Sequence, residues 1–162
     1  VVKINVGCGP FYREGWTNLD TEPTVHPDVI GSILALPFAA ASATAVYCGH
    51  VLEHVPLQDI PAALAEVHRV LVPGGKLCVV GPDFTRICQD TPENEIEWVI
   101  YGSKRWAGDF HQWACCESLV ERFVRDAGFL DVIARPIIDP DLGEWSIPGT
   151  AYPWQCVVLA TR

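Results

Sequence analysis

Short β-branched runs alternate with turns marked by glycine and proline along most of this chain, and two longer stretches carry apolar residues at helical spacing. KINVG at 3–7 runs into the glycine cluster GCGP and predicts a buried strand feeding a tight turn. WTNLD at 16–20, VIGSILAL at 29–36 and TAVYC at 44–48 predict three further strands, the middle one interrupted by Gly31. From Pro56 the period changes. DIPAALAEVHRVL at 59–71 places Ile60, Leu64, Val67 and Leu71 on one helical face, with Asp59 as N-cap and Pro61 tolerated in the first turn. PGG at 73–75 stops that helix, and the continuous apolar run KLCVVGP at 76–82 predicts a central parallel strand. CCESLVERFVRDAGF at 115–129 predicts a second amphipathic helix, with Leu119, Phe123 and Ala127 on one face and Gly128 just past its end. DVIARPI at 131–137 and QCVVLAT at 155–161 predict two last strands joined by a loop rich in glycine and proline. Within 83–112 only ENEIEWVI at 93–100 has helical character, so 84–113 reads as a lid-like insertion in one domain spanning 1–162. This order predicts an α/β fold, a doubly wound, mostly parallel sheet with its ligand beyond the C-terminal ends of the strands.

Composition narrows the classes. A chain of 162 residues with 49% hydrophobic and 19% charged residues is suited to one globular core rather than to disorder. Its mean hydropathy of +0.20 is on the apolar side and suggests that a partner covers some face. With 11 basic against 20 acidic residues and no basic stripe, nucleic acid is not an expected partner. No apolar stretch approaches the roughly 20 residues that span a bilayer, and VVKINVGCGP lacks the features of a secretory leader, so the expectation is a cytoplasmic protein without a membrane partner. The absence of methionine marks Val1 as a processed start or the edge of an ordered region. Seven cysteines with no C-x-x-C pair read as reduced thiols, those at 8, 48, 78 and 156 lying in or beside apolar runs.

Four places carry candidate chemistry. Gly7-Cys8-Gly9 closes strand one and Asp20 closes strand two, a glycine turn beside a carboxylate able to accept both hydroxyls of a ribose. A dinucleotide site is disfavoured, because Tyr12 stands where the third glycine of G-x-G-x-x-G belongs and Asp20 follows Gly7 by only 13 positions. His50-Val51-Leu52-Glu53-His54 matches the H-x-x-E-H pattern in which two histidines hold zinc and the glutamate acts as base. Pro56 follows too closely for a long helix there, so a zinc peptidase is the lesser reading and no metal site is expected. Asp83 ends the apolar strand where a carboxylate faces the crevice and can orient or deprotonate an acceptor. The segment Lys104, Arg105, Trp106, Asp109, Phe110, His111, Gln112 and Trp113 offers aromatic cover and, in His111, a group that titrates near neutrality.

In order, KINVGCGP at 3–10, GWTNLD at 15–20, LPFAAASATAVYCGHVLEH at 36–54, EVHRVLVPGGKLCVVGPD at 66–83 and the helix ending DAGF at 126–129 resemble the class I S-adenosylmethionine-dependent methyltransferases of small, compact type. The resemblance implies a Rossmann-like sheet and S-adenosyl-L-methionine as cofactor. It implies that Gly7, Cys8 and Gly9 pass close to the methionine part and that Asp20 binds the ribose. Ser32, Ile33 and Leu34, followed by Ala35 and Leu36, would lie near the adenine, and Gly49 and His50 would line the sulfonium side. Ser32 stands where the family often has an adenine-binding acid, with Asp28 the nearest carboxylate upstream, and Pro10 stands where a third glycine is common. For the acceptor side the resemblance implies Asp83, His50 and His111 as catalytic candidates and a small or glycan-like molecule as substrate. A catalytically inactive binding or scaffolding protein of the same fold is the alternative. Only seven residues separate Gly9 from Thr17 and eight separate Asp20 from Val29, which leaves no room for full helices after strands one and two. One sheet face should then be thinly covered, by 84–113, by additional chain or by a second copy in a homodimer.

Overall fold

In the computed structural model the residues described are 1–92, 96–104, 108–137, 145 and 152–162. The β-branched runs become β1 (Val2–Val6), β2 (Thr17–Asp20), β3 (Val29–Ile30), β4 (Ala43–Gly49), β5 (Leu71–Pro82), β6 (Leu130–Pro136) and β7 (Gln155–Thr161). They form one sheet in the order β3-β2-β1-β4-β5-β7-β6. The first five strands are mutually parallel, and β7 runs antiparallel to both of its neighbours. This is the expected mostly parallel α/β sheet, with every strand candidate present.

The helical stretches become α1 (Ile60–Val70) and α4 (Glu117–Asp126), and two shorter helices, α2 (Phe84–Asp90) and α3 (Ile96–Tyr101), lie between them in sequence. Ile60, Ala63, Leu64, Val67 and Val70 of α1 are all fully buried, as the spacing predicts. With Val120 and Val124 of α4 they join Ile4, Val6, Val46, Leu77, Val79 and Val158 in one core, so both helices cover the same sheet face. Gly128, at φ +88, takes the left-handed conformation past α4 and donates its N–H to the Arg125 carbonyl.

The opposite face has no helix against it among the described residues. Its core is Ala45, Tyr47, Cys78, Val80, Val157, Ile137 and Trp145, with Trp16 and Leu159 packed alongside. The chain between β1 and β2 contains no helix, and between β2 and β3 there is only a 3-10 turn, Pro23–Val25, as the short spacings require. Side-chain amides do the work of the missing helix. Asn5 Nδ2 donates to Asn18 Oδ1 (2.9 Å) and to the Phe11 carbonyl (3.0 Å), and Arg13 N–H donates to the same Asn18 oxygen (2.9 Å). Asn18 in turn donates its backbone N–H and side-chain amide to Asp28 Oδ2. The Arg13 guanidinium lies 4.7 Å from the Trp16 ring centre and 4.4 Å from that of Tyr47.

Local expectations fail where backbone chemistry is decided by distant groups. The strand expected over 29–36 ends at Ile30, because Ser32 to Ala35 close a turn in which Ala35 N–H reaches the Ser32 carbonyl. The turn at Pro73-Gly74-Gly75 lies inside β5. Leu71 pairs with Ala43 before it and Lys76 with Ala45 after it. Asp59 occupies the N-cap position of α1 without a side-chain capping bond. The inserted segment also carries α2, and α3 covers the described part of the 93–100 candidate, 93–95 lying outside the described residues. No helix of the described residues is long and apolar enough to cross a membrane.

Candidate functional site

The C-terminal ends of β1, β2 and β4 open into a cleft of about 470 Å³. Gly7 and Gly9 follow β1 with φ of +63° and +49°. A Cβ on Gly7 would stand 2.5 Å from Val51 Cγ2, whereas one on Gly9 would meet nothing within 4 Å. Gly7 is therefore needed for packing below the cleft, and Gly9 leaves open space above its backbone for a ligand. Asp20, at the end of β2, ties this loop to the next. Its Oδ2 accepts from Gly9 N–H (2.8 Å) and its Oδ1 from Glu22 N–H (2.9 Å). Each oxygen retains a further lone pair for a ligand hydroxyl.

Of the predicted cofactor residues, Gly7, Cys8, Gly9, Asp20, Ser32, Ile33, Leu34, Gly49 and His50 all line this cleft. Burial, reinforced by Asp20 and Asp28, pushes the Cys8 thiol up to about 11, so it faces the cleft as a neutral group. Gly49 is forced by the Tyr47 ring, whose Cε1 would lie 2.5 Å from an added Cβ. His50 follows at φ +56, a conformation rare outside glycine and often found at functional sites. The Gln155 carbonyl oxygen accepts from Tyr152 N–H, so its amide Nε2 donates to His50 Nε2. His50 Nδ1 then carries the proton and donates to Glu53 Oε1 (2.8 Å). With both ring nitrogens engaged, His50 is a poor general base in this arrangement.

Two carboxylates named from the sequence are engaged away from the cleft. Asp83 does not line the cleft. It is buried, caps α2 by accepting from Thr85 N–H (3.1 Å) and lies 3.5 Å from Arg86 Nε. Asp28 is likewise occupied with Asn18, whose backbone and side-chain N–H groups hold its carboxyl below the usual range. The zinc-peptidase pattern also fails, since Leu52–His54 is a single 3-10 turn rather than an α-helix and cannot present His50 and His54 as a helical pair. His111 does reach the cleft wall, and burial lowers its pKa despite the opposing pull of Glu53. Arg105 and Trp106 of the same segment lie outside the described residues.

The far wall comes from side chains that sequence reading missed. Trp154 stacks on Tyr152 with ring centres 4.9 Å apart and meets Trp98 edge-on at 6.0 Å; His50 also packs edge-on against Trp154, at 5.9 Å. Gln155, Trp154 and Tyr152 arrive here because antiparallel β7 begins at the edge where the parallel strands end. Had β7 been assigned as antiparallel from the sequence, the polar start of QCVVLAT would have marked this end of the sheet.

A family model described as a methyltransferase domain matches residues 14–79. A 37.1 kDa protein of transposon TN4556 from Streptomyces fradiae is 39% identical over 67 residues, 41% of this chain, and the match spans only 19% of that relative's length. Among solved structures, an S-adenosylmethionine-dependent methyltransferase from Archaeoglobus fulgidus superposes with a TM-score of 0.69 at 11% identity, covering 98% of this chain and 85% of the other. The 1,6-didemethyltoxoflavin N1-methyltransferase of Burkholderia thailandensis, solved with its substrate and S-adenosylhomocysteine, superposes at 0.63 with 15% identity, covering 99% and 70%. With the strand order, these matches show that the chain has the fold of the S-adenosylmethionine-dependent methyltransferases and that residues 14–79 are similar to a methyltransferase domain.

Proposed function

We propose that this chain binds S-adenosyl-L-methionine in the cleft and transfers its methyl group to a small, ring-bearing acceptor. The observation that carries the reading is Asp20, whose carboxylate joins the glycine turn to the loop after β2 and keeps acceptor capacity at the cleft edge. The open space at Gly9 is the fit expected for a ligand crossing the strand ends. When bound, the cofactor supplies an electrophilic methyl carbon and a thioether leaving group.

The residues of the chain do the rest. Gly7 and Gly9 let the ligand approach the backbone, Asp20 accepts from the ribose hydroxyls, and Ser32, Ile33 and Leu34 cover the base. Gly49 and His50 form the floor beneath the reacting centre, with the His50 ring fixed by Gln155 and Glu53. Trp98, Tyr152 and Trp154 supply flat surfaces that orient a planar or glycan-like acceptor and exclude water. Trp98, Val99, Asp109 and His111 of the inserted segment line this side, with His111 the remaining candidate for taking a proton. A cytoplasmic setting belongs to the same reading and is supported by seven unpaired cysteines.

Calorimetry with S-adenosylhomocysteine tests the proposal. Stoichiometric binding, weakened at least about tenfold by Asp20→Ala through loss of charge-assisted hydrogen bonds, is the expected result. Absence of binding to folded protein at millimolar ligand, or equal affinity of the variant, overturns it.

A further inference from the structure

Beside the cleft Glu53, His54 and His111 form a cluster of potential ligand groups. Glu53 is 1% exposed and accepts a hydrogen bond from His50 Nδ1 (2.8 Å). One potential ligand atom from each of Glu53, His54 and His111 lies within 4.8 Å of the other two. Bonds of about 2.1 Å to a tetrahedral ion separate ligand atoms by about 3.4 Å, so side-chain rotations of the order of 1 Å close the set.

His54 is oriented from behind. His54 Nδ1 donates to the Phe110 carbonyl (3.1 Å), which leaves its Nε2 lone pair free to ligate. His111 meets His54 edge-on, with ring centres 5.0 Å apart. A carbonyl fixing the tautomer of a histidine, as at His54, is the usual outer support of a metal ligand. The surrounding backbone is braced as well. Gln112 N–H donates to the Glu53 carbonyl (2.7 Å), and Trp113 Nε1 donates to the carbonyls of Leu52 (3.0 Å) and Val55 (3.1 Å). Four hydrogen bonds thus clamp the turn bearing Glu53 and His54 to the segment bearing His111. His54 and His111 line the cleft, and Glu53 lies behind them.

We propose that Glu53, His54 and His111 bind a divalent transition-metal ion of the zinc class, with its remaining coordination positions turned toward the cleft. Two imidazoles and one carboxylate are a donor set that suits such ions and leaves room for a water or an acceptor oxygen. The expectation of no metal rested on the failure of His50 and His54 to pair on a helix. The fold recruits His111 in place of His50.

The test is titration of the purified chain with Zn²⁺ by calorimetry and with Co²⁺ by absorption. Both use a background carrying Cys88→Ser and Cys116→Ser, which removes the two cysteines that are not buried. One ion per chain is expected, with a cobalt spectrum free of thiolate bands. His54→Ala and His111→Ala should each weaken binding at least about tenfold, with circular dichroism unchanged. Glu53→Gln, which keeps the volume and removes the charge, should weaken it as well. Failure to bind at millimolar Zn²⁺, binding insensitive to both histidine variants, or thiolate bands in the cobalt spectrum overturns the assignment. None of these readouts involves the methyl donor, so the metal site and the methyltransferase reading succeed or fail separately.

Discussion

The two faces of the sheet are built by different means. One is covered by α1 and α4 and consists almost wholly of fully buried aliphatic side chains. The other is held by a Tyr47–Trp145–Trp16 aromatic group, the Arg13 guanidinium and the Asn5–Asn18–Asp28 hydrogen bonds. Helix cover exploits the non-directional hydrophobic effect and tolerates imprecision, whereas loop cover depends on each buried amide finding its partner. The same loops carry Gly7, Gly9 and Asp20, so on the second face stability and ligand binding share residues.

Substitutions on each face test this division. Leu64→Ala on the helix-covered face should cost about 2–5 kcal/mol by denaturant titration and leave the affinity of the folded protein for S-adenosylhomocysteine near its original value. Asn18→Ala removes acceptors for Asn5 and Arg13 and a donor to Asp28, and should cost about 1–3 kcal/mol. Unlike the first variant, it should also weaken the ligand severalfold, because the Gly9 loop loses its brace. A ligand affinity unaffected by Asn18→Ala would show that the two roles are separable. The smallest effect belongs to Glu121→Gln on the solvent side of α4. It loosens an exposed pair with Arg125 (2.6 Å) and should change stability by less than about 0.5 kcal/mol. A larger loss there would mean that α4 depends on surface charge more than on Val120 and Val124.

The same division explains what could be read before the structure. Helix α1 was legible because Ile60, Leu64 and Val67 obey one local period, and the Gly7–Asp20 pair because both sit at strand ends marked by neighbouring residues. Asp83 lies outside the cleft lining for a physical reason. Its position at the end of β5 is as expected, but Thr85 N–H and Arg86 draw the carboxylate into a cap. The state of His50 was not legible at all, since it depends on Gln155, 105 positions away. His111 was visible only as one member of an aromatic, charged segment. Its meeting with Glu53 and His54 is produced by backbone hydrogen bonds that no side-chain pattern announces.

The position of β7 also governs the order of assembly. Strands β1 to β5 can pair as soon as they are made, but among the described residues β6 has no neighbour in the sheet except β7, which lies between it and β5. During synthesis β6 therefore waits as an unpaired edge until residues 155–161 have left the ribosome. The ribose side of the cleft can form on the nascent chain, whereas its aromatic wall, delivered by the start of β7, forms only once that strand is made.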